Sequence, residues 1–360
     1  ASCLVGSEMC IRDRNNIVML QLRDTRYNDI RLIFKEANHS YTDTLGNSYK
    51  SVTTLLHEYQ PSFNKSYWLK KKAKELGISE SKLAKQWDSI RDEACDRGTK
   101  THNNLEDGIK SASKFKDAIR YILPKEGEMI TVADLPNINL NVKELDIDEF
   151  IDVTENKYSE IYNVFNHYKN NGYKIYSEIG AFLIDYLVSG TIDVLCLRDD
   201  QFVIGDWKTN RGGLKFESGY YKKDKTQKPH QETDIWVGTN DRLLPPVGGL
   251  PNCNGSIYNL QLSLYALMVQ CILGLPCAGL WLAHIDSDFV LNEYGMPKKY
   301  PDGTFKVKTN PKEKVTLHKM MYRFNEVKSI LEDRRKNLKA KEINTCLLYT
   351  SPSPRDKRQS

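Results

Sequence analysis

Two apolar, β-branched segments joined by a short polar turn constrain this chain more than any other feature. They are Gly190–Leu197 and Phe202–Thr209, separated by Arg198-Asp199-Asp200-Gln201. This pattern predicts a β-hairpin whose two-residue loop is Asp199-Asp200. In that register Asp193 lies directly opposite Asp206, so two carboxylates meet near the open end of the hairpin.

A third charged side chain, Lys208, belongs to the same end of the hairpin. Residues two apart on a strand share a face, so Asp206 and Lys208 point the same way. Directly opposed like charges destabilise a sheet, and a divalent cation near Asp193 and Asp206 would compensate for their repulsion. The alternative is a surface hairpin with its charges in water. Apolar side chains on both faces near the turn favour a buried sheet instead.

Length and composition limit the class of protein only loosely. The 360 residues, 40% hydrophobic and 28% charged, suffice for one large or two ordinary domains. No apolar run approaches the length of a membrane span, so we expect a soluble protein without membrane contact. The formal charge of +5 is weak evidence for a polyanionic partner. The cysteines show no CxxC spacing and we find no secretory signal, which favours reduced thiols in a cytoplasm.

Both ends of the chain look foreign to the rest. Residues 1–14 and 346–360 resemble translations of one sequencing adapter read on opposite strands, and we expect them to contribute nothing to the fold. The alternative is a genuine disordered tail at each end. Between them we expect an N-terminal region of a hairpin and helices at 15–95, and a larger domain at 96–345.

The remaining elements follow from periodicity and turn signals. We predict a small hairpin at 39–53, helices at 66–76 and from Ser79, a helix from near Thr99, a helix at 155–170, a strand at 174–182, a helix at 258–269, a strand at 278–285 and a helix at 315–342. Residues 123–150 are expected to be mostly loop. The segment 211–257 is rich in Gly, Pro and Lys and is predicted to be a long loop. Its lysines could bind phosphates, and solvated disorder is an equal alternative.

Three further polar residues lie on predicted helices. His102 is near an apolar stripe, where a histidine is usually a satisfied partner of a backbone group. Gln261 and Tyr265 are four residues apart and share one face of a helix. A buried glutamine needs partners for its amide, so structural hydrogen bonding is the alternative to a functional role.

The ordered set is His102, Glu178, Asp193, Asp206-Trp207-Lys208 and Gln261-x-x-x-Tyr265. These residues lie, in order, on a predicted helix, three predicted strands and a second helix. In this arrangement the set resembles the PD-(D/E)XK nuclease superfamily. The similarity is to the RecB-like, lambda-exonuclease-like branch that includes phage-encoded exonucleases, and it covers about residues 98–285. The chain has Asp206 rather than Glu before Lys208, as the family pattern permits. Its long insertion before Gln261 departs from that pattern.

The resemblance implies a mixed α/β fold with a restriction-endonuclease-like αβββαβ core, a small N-terminal α+β region and a C-terminal helix. It implies a site for Mg²⁺ or Mn²⁺, since hard oxygen ligands suit these ions. The implied ligands are Asp193, Asp206, His102 and the backbone carbonyl of Trp207.

The same resemblance implies roles in phosphodiester hydrolysis. Lys208 would position or deprotonate the attacking water, and Glu178 would orient water or a second metal. Gln261 and Tyr265 would hold the phosphate. We therefore expect a DNA exonuclease of phage recombination, repair or replication, located in the host cytoplasm. Its expected partners are the DNA backbone and a single-strand annealing protein. The alternatives are a structure-selective endonuclease and a non-catalytic DNA-end-binding protein.

Overall fold

One large sheet between helices forms the centre of this mixed α/β protein, as its sequence predicts. The computed structural model describes residues 20–21, 27, 30–35, 40–112, 130–131, 145–227, 230–300, 304–309 and 312–350. The strands are β1 (Leu20–Gln21), β2 (Leu32–Lys35), β3 (Ser40–Asp43), β4 (Ser48–Ser51), β5 (Ile130–Thr131), β6 (Lys174–Leu183), β7 (Val188–Arg198), β8 (Gln201–Lys208), β9 (Gly219–Asp224), β10 (Gln231–Gly238), β11 (Cys277–Asp286) and β12 (Lys314–Met320). The helices are α1 (Val52–His57), α2 (Lys65–Leu76), α3 (Glu80–Ala112), α4 (Ile147–Val153), α5 (Ser159–Asn170), α6 (Asn254–Leu273) and α7 (Phe324–Thr350).

Strand β7 is the hub of the sheet. It pairs antiparallel with β6 along most of its length and antiparallel with β8 through the predicted hairpin. The β7–β8 register runs from Arg198 opposite Gln201 to Val194 opposite Gly205, which is the predicted register. The described ladder ends there, one pair before Asp193 and Asp206. The hairpin and its alignment are therefore confirmed up to the residues of interest.

The other strands extend the sheet on both sides of this hairpin. Strand β11 pairs parallel with β8, and β12 closes that edge antiparallel to β11. At the start of β7, β4 pairs parallel with Val188 and Ser189 and brings β3 and β2 into the same sheet. The strands before residue 95 thus share one sheet with those after it, and α3 runs without interruption across that position.

Two apolar clusters cover the opposite faces of the sheet. One is formed by α6 with side chains from β6, β7, β8 and β11. The other is formed by α4, α5 and the second half of α3. Among the described helices, α6 alone has the length and apolar composition of a membrane span, but 78% of that window is buried inside the protein. Its packing is that of a core helix.

Several sequence-based expectations differ from the structure. The predicted helix 315–342 begins only at Phe324, because the β-branched segment at Val315-Thr316 pairs with the edge of β11 as part of β12. The two helices predicted around Gly98 are one helix, α3. The hairpin predicted at 39–53 ends at Ser51, because Val52 and Thr53 are the first residues of α1. The Ser51 hydroxyl caps this helix by accepting a hydrogen bond from the Thr54 N–H at 3.1 Å.

The segment 211–257 also differs from the predicted loop. It contains the two-stranded ribbon β9–β10, a separate small sheet. Between residues 123 and 144, only 130–131 belong to the described residues, and they form β5. Residues 1–14 and 351–360 lie outside the described residues, whereas α7 continues to Thr350.

Contact between β8 and β11 depends on a glycine. A Cβ atom at Gly205 would lie 2.1 Å from the ring of Trp281, its neighbour across the ladder. We expect Gly205→Ala to cost about 1–3 kcal/mol of unfolding free energy, because the added methyl group overpacks the interface. The measurement is the midpoint of urea unfolding. Gly279→Ala on β11 is the control, since its Cβ would meet no heavy atom within 4 Å. Equal midpoints for the two variants would contradict this account.

Candidate metal centre

Three side chains from a helix and two strands converge at the point where β6, β7 and β8 meet. They are His102 on α3, Glu178 on β6 and Asp193 on β7, and one ligand atom from each lies within 4.8 Å of the others. The Nδ1 atom of His102 is 3.6 Å from Oδ2 of Asp193. One imidazole and two carboxylates at this spacing could hold a metal ion.

The position of His102 follows from the close approach of α3 to the end of β8. At Gly98, one turn before His102, a Cβ atom would lie 3.1 Å from Oγ1 of Thr209. Farther along the helix, Leu105 and Ile109 are fully buried in the cluster that contains Trp207. The apolar stripe of α3 therefore fixes the helix against the sheet and aims the histidine at β7.

Glu178 has a left-handed backbone, with φ of +55°, inside a β-strand. The side-chain alternation of the strand inverts there: Ile175 belongs to the α4–α5 cluster, whereas Ile179 belongs to the α6 cluster. Residues four apart in a regular strand would face the same way. On β7, Ile192 and Val194 are two residues apart and would share a face of a regular strand, but they too belong to different clusters. Glu178 and the facing Asp193 thus mark a shared distortion of two strands, and such strain concentrates at functional sites.

Asp206 and Lys208 form a buried ion pair beside this group. Their side chains are 2% and 1% exposed, and Nζ of Lys208 lies 3.2 Å from Oδ1 and 2.9 Å from Oδ2 of Asp206. The two residues share a face of β8, as strand alternation predicts. The ring of Tyr258 on α6 has its centroid 5.1 Å from the same ammonium. This aromatic contact holds the lysine head from the side opposite the strand.

The carboxylates repel one another strongly. The pKa of Asp193 is raised well above its usual value, first by burial and then by the charges of Asp206 and Glu178, and Lys208 opposes this only in part. The N–H of Trp207 donates a hydrogen bond to Oδ2 of Asp193 at 3.3 Å. In addition, both buried carboxylate oxygens of Asp206 face the single ammonium of Lys208. An excess of buried carboxylate oxygen over donors is the environment that a divalent cation relieves.

The predicted site residues fall into two groups. The structure brings His102, Glu178, Asp193, Asp206 and Lys208 together. The three atoms that fit one ion include Glu178, which was expected to orient water or a second metal, whereas the Asp206 carboxylate is directed at Lys208.

The predicted helix pair, Gln261 and Tyr265, lies inside α6 and is 2% and 3% exposed. Tyr265 packs on the backbone of β7, where a Cβ atom at Gly190 would lie 2.7 Å from its ring. This contact positions α6 against the strand that carries Asp193.

Sequence reasoning missed the aromatic neighbour of Lys208. Tyr258 is three residues before Gln261, so the helical spacing that singled out Gln261 and Tyr265 also contained it. Nothing in the sequence marks it as a neighbour of Lys208.

A polar group beyond Lys208 was also missed. His284 pairs with Lys208 across β8 and β11, and its Nε2 lies 2.7 Å from the carbonyl oxygen of Asn210. Burial lowers the pKa of His284, which favours a neutral ring. Arg97, five residues before His102, donates hydrogen bonds to the Thr209 carbonyl and the Ser287 hydroxyl. These contacts fix the chain where it leaves β8.

Comparison with known proteins adds no relative to this picture. No protein-family model matches the chain, and no curated protein matches it. A function can therefore be inferred only from the residues and their geometry.

The raised pKa of Asp193 predicts a pH-dependent effect of its removal. A carboxyl group whose pKa is higher in the folded than in the unfolded state makes the fold less stable as the pH rises. Without metal, Asp193→Asn should therefore gain stability over the wild type between about pH 5 and pH 8. We expect a difference on the order of a few degrees in Tm at the upper end. Added Mg²⁺ or Mn²⁺ should stabilise the wild type and not the variant.

Asp199→Asn, on the exposed turn of the same hairpin, is the matched control for this experiment. It should follow the wild type at every pH and with metal. A Tm difference between Asp193→Asn and the wild type that does not vary with pH would refute the electrostatic account.

The left-handed backbone at Glu178 predicts that glycine is more stabilising than alanine at this position, the reverse of the usual order in a strand. Glycine adopts a positive φ without steric cost, so Glu178→Gly should be more stable than Glu178→Ala by about 1 kcal/mol. The measurement is urea unfolding without metal. At Ser177, the preceding residue of β6, the order should reverse, because glycine weakens a regular strand. The same order at both positions would show that the distortion is absent in solution.

Proposed function

We propose that this protein is a metal-dependent DNA exonuclease, which hydrolyses phosphodiester bonds from DNA ends with Mg²⁺ or Mn²⁺. The observation that supports this most is the convergence of His102, Glu178 and Asp193 beside the buried Asp206–Lys208 pair. A purely structural ion pair does not require two further carboxylates and an imidazole close to it. Hydrolysis of a phosphodiester uses both groups of residues, since it requires a cation site and a positive donor close to the phosphate.

In this proposal each residue has a defined task. His102, Glu178 and Asp193 hold the cation, and the Trp207 N–H fixes the orientation of the Asp193 carboxylate. A bound Mg²⁺ or Mn²⁺ supplies Lewis-acid stabilisation of the phosphoryl oxygens. The carboxylate of Asp206 holds Lys208, whose ammonium group would orient the attacking water and stabilise the charge that develops on the phosphate.

Three expectations from the family resemblance belong to the same proposal. Asp206 and the Trp207 carbonyl would complete the ligand set, and Gln261 and Tyr265 would hold the phosphate. Recognition through phosphates rather than base edges is independent of sequence. The proposed setting is phage recombination, repair or replication in a host cytoplasm, with a single-strand annealing protein as partner.

The direct test is hydrolysis of end-labelled linear duplex, single-stranded DNA and closed circular duplex by the purified full-length chain. We expect activity on the two substrates with ends, a requirement for Mg²⁺ or Mn²⁺, and a steep loss with added salt. Nicking of closed circles without preference for ends would favour a structure-selective endonuclease. Binding to DNA ends without hydrolysis under either metal would favour a non-catalytic end-binding protein.

Lys208 provides the sharpest test of mechanism. Lys208→Met keeps the length of the side chain but removes the ammonium group, and we expect the hydrolysis rate to fall on the order of 10²–10³-fold or more, with DNA binding retained. Because the change leaves Asp206 buried without its cation, the double variant Asp206→Asn/Lys208→Met is made in parallel to restore folding. Lys319→Met, on the edge strand β12, is the control and should retain full activity. Near-wild-type rates in a folded Lys208 variant would exclude the proposed role.

A further inference from the structure

The insertion between β8 and α6 begins next to the candidate metal centre. Asn210, two residues after Lys208, donates from its side-chain amide to the Gly213 carbonyl at 3.0 Å. Asn254, the first residue of α6, donates to the same carbonyl at 2.9 Å and accepts from the Lys215 N–H at 2.8 Å. The base of the β9–β10 ribbon is therefore fixed between the end of β8 and the helix that carries Tyr258.

The ribbon itself is built as an ordered platform. Tyr221 and Trp236 face each other across its two strands with ring centroids 5.0 Å apart, and Nζ of Lys215 lies 4.5 Å from the Tyr221 centroid. Gln231 exchanges two hydrogen bonds with the backbone of Lys299, at 3.1 and 3.3 Å, which ties the ribbon to the segment after β11. These contacts hold the ribbon in one orientation near the ends of β8 and β11.

The ribbon leaves an aromatic residue and a lysine open to solvent. Tyr220 is 57% exposed, and Lys222, two residues along the same strand, is also exposed. Their spacing places them on one face of β9. Within the described part of the chain, Lys222 has no carboxylate partner.

Helix α2 has the same character. It contains five lysines and one glutamate, and Ala73 is its one buried residue. Tyr67 is 54% exposed, and Nζ of Lys71 lies 5.8 Å from its ring centroid, one helical turn on. Lys70 and Lys74 have no ion-pair partner among the described residues, so most of the positive charge of α2 is not neutralised.

The two elements are neighbours. Lys223 of β9 lies within electrostatic reach of Lys72 and Glu75 on α2, and burial together with the nearby Lys299 lowers its pKa. Helix α2 in turn lies along α3, where Lys65 reaches Asp88 at 3.5 Å. The residues Tyr67, Lys71, Tyr220 and Lys222, named here the α2–ribbon surface, thus belong to two neighbouring elements, and the ribbon starts beside the end of β8 that carries Lys208.

We propose that the α2–ribbon surface binds single-stranded DNA and guides it to the metal centre. This inference deepens the proposed nuclease function and rests on it. Exposed rings stack on bases and lysines contact phosphates, which is the pattern of proteins that bind single strands without sequence preference. Bases in a duplex are already stacked on one another, so solvent-exposed rings offer a duplex little. The positive charge of α2 favours a polyanion over an apolar protein partner.

The test measures binding of fluorescent oligothymidylate and of a duplex of equal length, in EDTA so that metal-dependent hydrolysis is suppressed. The variants are Tyr67→Ala/Lys71→Ala and Tyr220→Ala/Lys222→Ala. Each should weaken single-strand binding about 5- to 100-fold, from the loss of one stacked base and one phosphate contact. The slope of log affinity against log salt should fall by about one for each variant. Duplex binding should change less.

The chain offers a matched control for the helical pair. Phe324 and Lys328 are an exposed aromatic residue and an exposed lysine four apart on α7, as Tyr67 and Lys71 are on α2. Phe324→Ala/Lys328→Ala should leave single-strand affinity unchanged. Equal losses in this control and in the surface variants would overturn the proposal. Unchanged affinity in both surface variants, or equal losses on duplex and single strand, would also overturn it.

A second measurement separates this inference from the nuclease proposal. Hydrolysis of bis(p-nitrophenyl) phosphate with Mn²⁺ reports on the metal centre alone, because this small ester does not reach the α2–ribbon surface. The surface variants should hydrolyse it at the wild-type rate while losing single-strand affinity. If the wild type hydrolyses neither this ester nor DNA, the nuclease proposal fails, and the binding data still decide whether the surface takes single strands.

Discussion

Repulsion among buried carboxylates is the interaction on which the arrangement of this protein depends. Glu178, Asp193 and Asp206 occupy neighbouring positions on three adjacent strands, and burial together with the charges of the other two carboxylates raises the pKa of Asp193. Such crowding is unfavourable in a sheet unless cations offset it. Lys208 offsets part of it from within the sheet. The nearby imidazole of His102 completes a group of three ligands that could hold a further cation.

The rest of the molecule holds these charges in place with apolar packing. Two clusters of buried side chains cover the faces of the sheet, and each also fixes one element of the site. Helix α6 lies close to β7 because Gly190 makes room for Tyr265, and α3 lies close to β8 because Gly98 makes room for Thr209. The burial of large apolar surfaces contributes far more than any single ion pair. It can therefore offset a group of charges that would not assemble alone.

Sequence reasoning succeeded where the signal was local. The register of the β7–β8 hairpin follows from a two-residue turn and alternation, and the end of α2 at Gly77 follows from a left-handed glycine cap. The helix predicted at 315–323 was wrong, because pairing with β11 outweighs the helical pattern. The loop predicted at 211–257 was also wrong, because its Gly and Pro content indicated no strands although the β9–β10 ribbon lies there. The inversion at Glu178 could not be predicted, since a glutamate in a strand pattern carries no sign of positive φ. Tyr258 could not be identified as a site residue either, because its partner Lys208 lies on another element.

The short turn at Asp199-Asp200 has a consequence for the order in which the protein folds. Hairpins close in about 1–10 µs, well before contacts between distant parts of a chain are made. Asp193 and Asp206 are therefore brought together early, whereas His102 arrives later on a separate helix. During that interval the hairpin supplies its own counter-ion, because Lys208 belongs to the strand that carries Asp206. We therefore expect the ammonium of Lys208 to reduce the repulsion between the two aspartates already while the hairpin forms.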